Sequence, residues 1–214
     1  MSKIGNLFIL GDSYSTFEGY IPTDCAAWYH PDDDPKTDVH KVSDTWWHQF
    51  VASTDANLLL NSSFSGTTIC RTGYEGVDST EKCFIGRLEK LICDGWFEKN
   101  KVDTFIIFGG TNDNWANSPL GECMYSDWKE EDLFSVFPAF CYLLNRVKTI
   151  LPESEILFIL NTELKPIINE NFKIICEKYG AKLVELCDIS KQNGHPDKKG
   201  MTEIKEQVLN FMNA

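Results

Sequence analysis

LFILGDSYS, residues 7–15, is an apolar run that ends abruptly in glycine, aspartate and serine, and the rest of the predicted fold is arranged around it. Its first four residues are apolar, and a short apolar run bounded by polar residues predicts a buried β-strand. Gly11 follows directly and lets the backbone turn sharply because glycine has no Cβ. Ser13 on such a turn would lie at the carboxyl end of a central strand, where open α/β sheets bind their ligands. The stretch alone also fits a plainer role, in which Asp12, Ser13 and Ser15 only cap the next helix.

The size and charge of the chain limit its class and its partners. A length of 214 residues suits one domain with a full core, so we predict a single domain over residues 1–214. The formal net charge of -12 argues against nucleic acid and against anionic membrane surfaces, which both bind through Lys and Arg. A neutral or cationic small-molecule substrate suits this charge better, and the oligomeric state stays open.

The cysteines and the first residues indicate a cytoplasmic protein. The eight cysteines contain no Cys-x-x-Cys pair, which excludes the usual zinc-knuckle and thioredoxin-type patterns, and we expect them to be reduced. The chain starts with a single Lys and a short apolar run without a small-residue cleavage site. This pattern matches neither a signal peptide nor a membrane span.

Strands alternate with helices along the rest of the chain. After the first strand, further strands are predicted at 57–61, 103–108, 155–160 and 182–186. Helices are predicted from Asp44, from Ser79 or Thr80, over about 130–150 with Pro138 as a kink or break, and over 167–179 and 201–211. Two irregular insertions fill about 16–43 and 115–129. This alternation predicts a parallel sheet with right-handed crossovers, and therefore a doubly wound α/β domain.

Polar loops follow the predicted strands at one edge of the sheet, and they contain candidates for acyl transfer. A serine nucleophile needs a base within hydrogen-bond reach and N–H donors for the oxyanion. Among the four histidines, only His195 is predicted to follow a core strand and precede a helix at that edge. The candidate donors are the backbone N–H groups of Ser13 and Gly66 and the side-chain amide of Asn112.

Four blocks in this order resemble the SGNH, or GDSL-type, hydrolase family. They are Gly11-Asp12-Ser13-Tyr14-Ser15, Asn61 with Ser65-Gly66, Gly110-Thr111-Asn112-Asp113 and His195-Pro196. The resemblance implies a flavodoxin-like, three-layer, five-stranded parallel sheet of order 2-1-3-4-5 and ester hydrolysis through an acyl-serine. It implies Ser13 as nucleophile, Gly66 and Asn112 as oxyanion donors and His195 as general base.

The chain departs from the family three residues before this histidine, where an Asp is usual and Gln192 stands instead. A carboxylate there would orient the imidazole and stabilise the imidazolium. Three interpretations stay open: a Ser-His dyad held by Gln192 or a main-chain carbonyl, an acid such as Asp188 reaching in, or a weakened activity. We favour the dyad, because losing only the orienting group reduces the rate least.

The first insertion contains an acidic run that resembles a cation site. His30 to Asp34, Asp38 and His40 bring carboxylates and imidazoles close in sequence. We interpret the run as a solvated acidic loop, and we predict neither a metal nor a cofactor.

Aromatic residues in both insertions are candidates for a wall beside Ser13. These are Trp28, Tyr29, Trp115 and Trp128. Such rings stack on sugar faces or hold an acyl chain, although they also pack under long loops. We predict a serine esterase for short acyl chains, with an O-acetyl group on a carbohydrate as the favoured substrate. The alternatives are a carbohydrate-binding relative with weak or lost catalysis, and an acyltransferase or thioesterase that uses the same serine.

Overall fold

A five-stranded parallel sheet forms the centre of the computed structural model, which describes residues 4–32 and 34–213. The strands are β1 (Asn6–Gly11), β2 (Asn57–Ser63), β3 (Thr104–Phe108), β4 (Glu155–Leu160) and β5 (Lys182–Glu185). Their order is β2-β1-β3-β4-β5, and each neighbouring pair is parallel. The predicted fold class and strand order are therefore confirmed.

Helices cover both faces of the sheet. They are α1 (Trp46–Ala52), α2 (Phe84–Cys93), α3 (Trp96–Lys99), α4 (Thr111–Trp115), α5 (Val136–Ile150), α6 (Pro166–Tyr179) and α7 (Lys198–Asn213). Alternate strand residues point to opposite faces. Phe8 and Leu10 of β1 pack with α2, α5 and α6, whereas Leu7 and Ile9 pack with α1 and α7. Both faces of β1 and β3 are thus buried, which explains their unbroken apolar runs.

The predicted helix from about residue 130 is divided before Pro138. A 3₁₀ turn covers Glu130–Phe134, Ser135 is extended with φ -114° and ψ 145°, and α5 begins at Val136. Pro138 lies in the first turn of α5, where a helix leaves N–H groups unbonded in any case. Pro138 is therefore compatible with the first turn of α5 and does not kink the helix.

Three other helix starts differ from the prediction because local turns precede them. Thr45, and not Asp44, caps α1, since its Oγ1 accepts from the N–H of His48. The segment before α2 is held in a turn by Asp78, whose Oδ1 accepts from Thr80 N at 2.8 Å, so the helix starts only at Phe84. The last helix starts at Lys198, three residues earlier than predicted.

A short hairpin that the sequence analysis missed precedes α7. Strands β6 (Lys191–Gln192) and β7 (His195–Pro196) are antiparallel. Asn193 and Gly194 join them with φ values of 50° and 76°, the positive pair that a two-residue type I′ turn requires. This hairpin is the element that presents His195.

The cysteines and helices of the described chain give two further facts. Each of the eight cysteines is free. Within residues 4–32 and 34–213, no helix is both long and apolar enough to cross a membrane.

Candidate active site

Ser13 lies on a tight turn directly after β1. A 3₁₀ turn covers Ser13–Ser15, and the Oδ1 of Asp12 accepts from the N–H of Tyr14 at 3.1 Å. A Cβ on Gly11 would lie 2.8 Å from the Cβ of Ser15, so the close approach of the turn to its own strand requires glycine. Asp12 thus caps this turn, and burial raises its pKa to about 7.

Ser13 and His195 form a hydrogen bond although 182 residues separate them in sequence. The Oγ of Ser13 lies 2.9 Å from the Nε2 of His195. Ser13 is 2% exposed and His195 is 6% exposed. Burial, assisted by the positive charge of Lys191 and opposed by the hydrogen bond to Asn193, lowers the pKa of His195 to about 4. The imidazole is therefore neutral at pH 7, the state that accepts a proton.

The other ring nitrogen of His195 faces a main-chain carbonyl. Its Nδ1 lies 3.2 Å from the carbonyl oxygen of Asn193. A carbonyl oxygen only accepts, so Nδ1 carries the proton and Nε2 is left to accept from Ser13. The Gln192 amide instead donates to the carbonyl of Pro35 at 3.2 Å, and Asp188 is exposed. The structure brings neither of these two candidates to the imidazole.

Two buried tyrosines fix the hairpin that presents His195. The hydroxyl of Tyr14 donates to the carbonyl of Gly194 at 2.6 Å, and that of Tyr29 donates to the carbonyl of Pro196 at 2.8 Å. Burial raises the pKa of both phenols, so they remain donors. Tyr29 is fully buried, so the structure gives it a supporting position and not a place in a substrate wall.

Asn112 lies on the first turn of α4, and its amide is fixed from both sides. The hydroxyl of Tyr74 donates to its Oδ1 at 2.8 Å, while its Nδ2 faces the Oδ2 of Asp12 at 3.4 Å. Asn112 is 2% exposed. The amide N–H groups therefore point toward the turn that carries Ser13.

Gly66 occupies an open, left-handed position in the loop after β2. Its φ is 77°, and a Cβ there would meet no atom within 4 Å. In the described part of the chain, the backbone N–H groups of Gly66 and Ser13 donate to no other residue. Both are available to an incoming oxygen.

Two buried charged residues hold the loops around Ser13 in place. The carboxylate of Asp113 accepts from the N–H groups of Ile69 and Cys70, which joins the loop after β2 to α4. The guanidinium of Arg87 donates to the carbonyls of Gly11 and Ser62. Burial raises the pKa of Asp113 and lowers that of Arg87 to about 10.

The family comparison agrees with this geometry. A family model described as GDSL-like lipase/acylhydrolase matches residues 5–212. The chain belongs to the GDSL-like lipase/acylhydrolase family. As a member, it is an ester-hydrolysing enzyme, and the resemblance found in its sequence is confirmed.

Solved structures extend the likeness over the whole chain. A protein described as a GDSL-like lipase from Bacteroides ovatus ATCC 8483 is 45% identical, with a TM-score of 0.91 and 97% of each chain covered. Another from Bacteroides uniformis ATCC 8492 is 40% identical, with a TM-score of 0.90, covering 97% of this chain and 95% of that one. An acetyl xylan esterase from Butyrivibrio proteoclasticus shares the fold at 17% identity and a TM-score of 0.59, covering 99% of this chain and 63% of that one. A search of curated proteins gives no match.

The candidate wall aromatics of this acylhydrolase are not gathered in one place. Trp28 stacks on His195, with ring centroids 3.6 Å apart and planes 9° apart. Trp115 is 41% exposed and lies edge-to-face with His195 at 5.7 Å. Trp128 packs against Tyr142 of α5 and donates from Nε1 to the carbonyl of Met124. Trp128 therefore belongs to the packing of α5 and lies outside the Ser13 site.

The acidic insertion has its own internal contacts. His30 lies 3.4 Å from the carboxylate of Glu18. Among the residues that the structure describes, no group of three His, Cys, Asp or Glu side chains is arranged to hold a metal ion. Asp33, part of the predicted acidic run, lies outside the described residues.

A cavity of about 650 Å³ lies beside the loop that follows β2. Cys25, Phe64, Lys82 and Arg87 are among its lining residues, whereas Ser13, Asn112 and His195 are not. It is therefore separate from the Ser13–His195 pair.

Sequence reasoning missed several residues that support the site. The Asn193-Gly194 pair was a readable hairpin signal that would have predicted the turn before His195. Tyr74, which fixes the Asn112 amide, and Trp28 as the partner of His195 lie in loops without periodicity. No local pattern in the sequence predicts either contact.

Proposed function

We propose that this acylhydrolase is a Ser-His carboxylesterase in which Ser13 is the nucleophile and His195 is the general base. The observation that carries the proposal is the 2.9 Å hydrogen bond between Ser13 Oγ and His195 Nε2. A nucleophile and a neutral base within hydrogen-bond reach are the signature of covalent acyl transfer. The carbonyl of Asn193, and not Gln192 or Asp188, fixes the tautomer of the base in this proposal.

The reaction follows from these positions. Ser13 Oγ attacks the acyl carbon of the ester while its proton moves to Nε2 of His195. The protonated imidazole then donates that proton to the departing alkoxide, which leaves as an alcohol and produces an acyl-Ser13. Water then attacks the acyl carbon and gives a proton to Nε2 of His195. The bond from the acyl carbon to Ser13 Oγ breaks, the acid is released, and the imidazolium returns the proton to Ser13 Oγ.

We propose that three N–H donors stabilise the negative charge that develops on the ester oxygen. These are the N–H of Ser13, the N–H of Gly66 and the Nδ2 of Asn112. The first two donate to no other described residue, and the third is turned toward Ser13 by Tyr74. Donors fixed in advance stabilise the transition state without reorganisation.

The favoured substrate is a short acyl ester, with an O-acetyl group on a carbohydrate as the specific proposal. Ser13, Asn112 and His195 are each at most 6% exposed, which favours a small group at the reacting carbon. Trp115 and Tyr74, both 41% exposed, flank this point through His195 and Asn112 and offer aromatic surface to a sugar. The acetyl xylan esterase with the same fold is a further, weaker support.

Hydrolysis of p-nitrophenyl acetate by wild type and Ser13→Ala tests the proposal. We expect turnover only in the wild type, and a rate that falls from acetate to octanoate esters. Acetylated xylo-oligosaccharides test the sugar in the same pair of proteins. Equal rates for both proteins, or no turnover above background for the wild type, would contradict the assignment as an esterase.

A further inference from the structure

The imidazole of His195 has an aromatic ring stacked on one face and no carboxylate at its edge. The indole of Trp28 lies parallel to it at 3.6 Å. Within residues 4–32 and 34–213, no carboxylate forms a hydrogen bond or ion pair with His195. In most serine hydrolases a carboxylate stabilises the imidazolium, and among the described residues none is placed to do so for His195.

We propose that Trp28 is a positioning residue that orients the imidazole of His195 and stabilises its protonated form in place of the usual carboxylate. Its indole fixes the tilt of the His195 ring, and its π face stabilises the imidazolium that forms when Ser13 gives up its proton. The inference rests on the proposed function, because His195 becomes an imidazolium during turnover only if it acts as the base.

The backbone of Trp28 is tied to the turn that carries Ser13. Its N–H donates to Thr16 Oγ1 at 2.9 Å, and that hydroxyl donates to the carbonyl of Ser13 at 2.9 Å. The next residue, Tyr29, donates to the carbonyl of Pro196, the residue that follows His195. The indole is thus fixed relative to both partners of the Ser13–His195 hydrogen bond.

Trp28 and the carbonyl of Asn193 divide the orienting role of a carboxylate. The hydrogen bond at Nδ1 selects which ring nitrogen faces Ser13, since a flipped ring would lose it. That bond lies in the ring plane and does little to prevent the plane from tilting. Parallel stacking on the indole prevents tilting, because any tilt drives one ring edge into the other ring.

Apart from the carbonyl of Asn193, the indole of Trp28 is the main group beside His195 that can stabilise an imidazolium. Lys191 opposes a positive charge, and the neighbouring Tyr14 and Ser13 are neutral. A cation over the face of a Trp is attracted by the ring quadrupole, more strongly when water is excluded. The attraction grows as the proton is transferred, so it stabilises the transition state more than the ground state.

Fluorination of the indole at position 28 separates this electrostatic role from packing. Each fluorine weakens the negative potential of the ring face while nearly keeping its shape. We expect kcat for p-nitrophenyl acetate to fall stepwise from Trp to the trifluoro ring, by about 3- to 30-fold in total, with KM unchanged. The matched control is the same series at Trp128, which packs against α5, and it should leave kcat unchanged.

A titration of His195 by NMR gives a readout that does not depend on activity. The pKa of His195 should fall with each fluorine at position 28, because the imidazolium loses attraction while burial stays constant. Among the residues that the structure describes, none forms a hydrogen bond with the Nε1 of Trp28, so Trp28→Phe breaks no side-chain hydrogen bond and should keep more activity than Trp28→Leu.

The outcomes distinguish the inference from the function on which it rests. A flat kcat series and an unchanged His195 pKa, in an enzyme that Ser13→Ala inactivates, would overturn the role of Trp28 alone. Turnover that survives Ser13→Ala would overturn the proposed function itself. Stepwise loss in both series supports the inference.

Discussion

At the scale of single residues, the protonation state of His195 governs the chemistry we propose. Burial outweighs the hydrogen bond from Nδ1 to the carbonyl of Asn193, so the pKa is lowered from 6.5 to about 4. Only the neutral ring accepts the proton of Ser13. The same burial that keeps the ring ready as a base makes its protonated form harder to reach.

The pH dependence of kcat/KM should show this lowered pKa. Activity requires neutral His195, so it is lost as the pH falls through the pKa, and we expect the acid limb to have its midpoint near pH 4 to 5. The measurement is kcat/KM for a neutral ester from pH 3.5 to 8, with enzyme stability checked at each pH. A midpoint at 6.5 or above would contradict the environment described for His195.

Gln192 provides a second prediction at this scale, because its side chain bonds to Pro35 and not to the imidazole. Gln192→Ala should therefore keep kcat within about threefold of the wild type, whereas His195→Ala should lower it by about 10²- to 10⁴-fold. Both values come from steady-state hydrolysis of p-nitrophenyl acetate. A loss at Gln192 as large as the loss at His195 would show that the amide orients the base.

At the scale of elements, Arg87 of α2 joins the ends of β1 and β2. It is 8% exposed and donates to the carbonyls of Gly11, Ser62 and Lys82. The carbonyls of Gly11 and Ser62 lie at the ends of the strands that lead to Ser13 and Gly66. Its guanidinium thus ties the nucleophile strand to the proposed oxyanion loop.

Removing this guanidinium should destabilise the fold. Arg87→Met removes the charged hydrogen bonds to the carbonyls of Gly11, Ser62 and Lys82, which costs about 3 kcal/mol, or a fall in Tm of about 6–12 °C for a chain of this size. The matched control is Lys90→Met in the same helix, whose side chain is 67% exposed; it should change stability by less than about 0.5 kcal/mol. Equal melting temperatures for the two variants would contradict the role given to Arg87.

The elements with strong local patterns were predictable from sequence. The five core strands were expected because their apolar runs end in polar loops, and the structure has all five in the implied order. The prediction of a kink or break at Pro138 was wrong, because the apolar pattern runs through Ser135, where the backbone is extended and the break falls. An apolar pattern indicates which residues are buried, and one residue with an extended backbone does not change that pattern.

The site was predictable only in its outline. The loops that carry Ser13, Gly66, Asn112 and His195 each follow a strand, and strand ends meet at one edge of a parallel sheet. The contacts that tune them come from the first insertion and from the loop at Tyr74, which are held by bonds between residues far apart in sequence. Such contacts depend on the completed fold, so no local rule gives them.

At the scale of the whole molecule, the net charge of -12 bears on which esters approach Ser13. A negative field lowers the local concentration of anions and raises that of cations, and salt screens it. We propose on this basis that the substrate is neutral or cationic.

The salt dependence of two esters tests this charge effect. We expect kcat/KM for p-nitrophenyl acetate to be insensitive to salt, whereas an analogue with a carboxylate on its acyl chain should improve by about threefold or more between 10 and 300 mM salt. Ser13→Ala provides the background rate for both. An anionic ester that is preferred at low salt would contradict the proposal.

Covalent labelling by a serine-directed fluorophosphonate, followed by intact mass and peptide mapping, tests most directly whether Ser13 and His195 form an activated pair. We expect one adduct per chain, located on Ser13, with labelling that disappears in Ser13→Ala and slows strongly in His195→Ala. Labelling of a different residue, or a Ser13 that reacts no faster when His195 is present, would contradict the claim that the two form an activated pair.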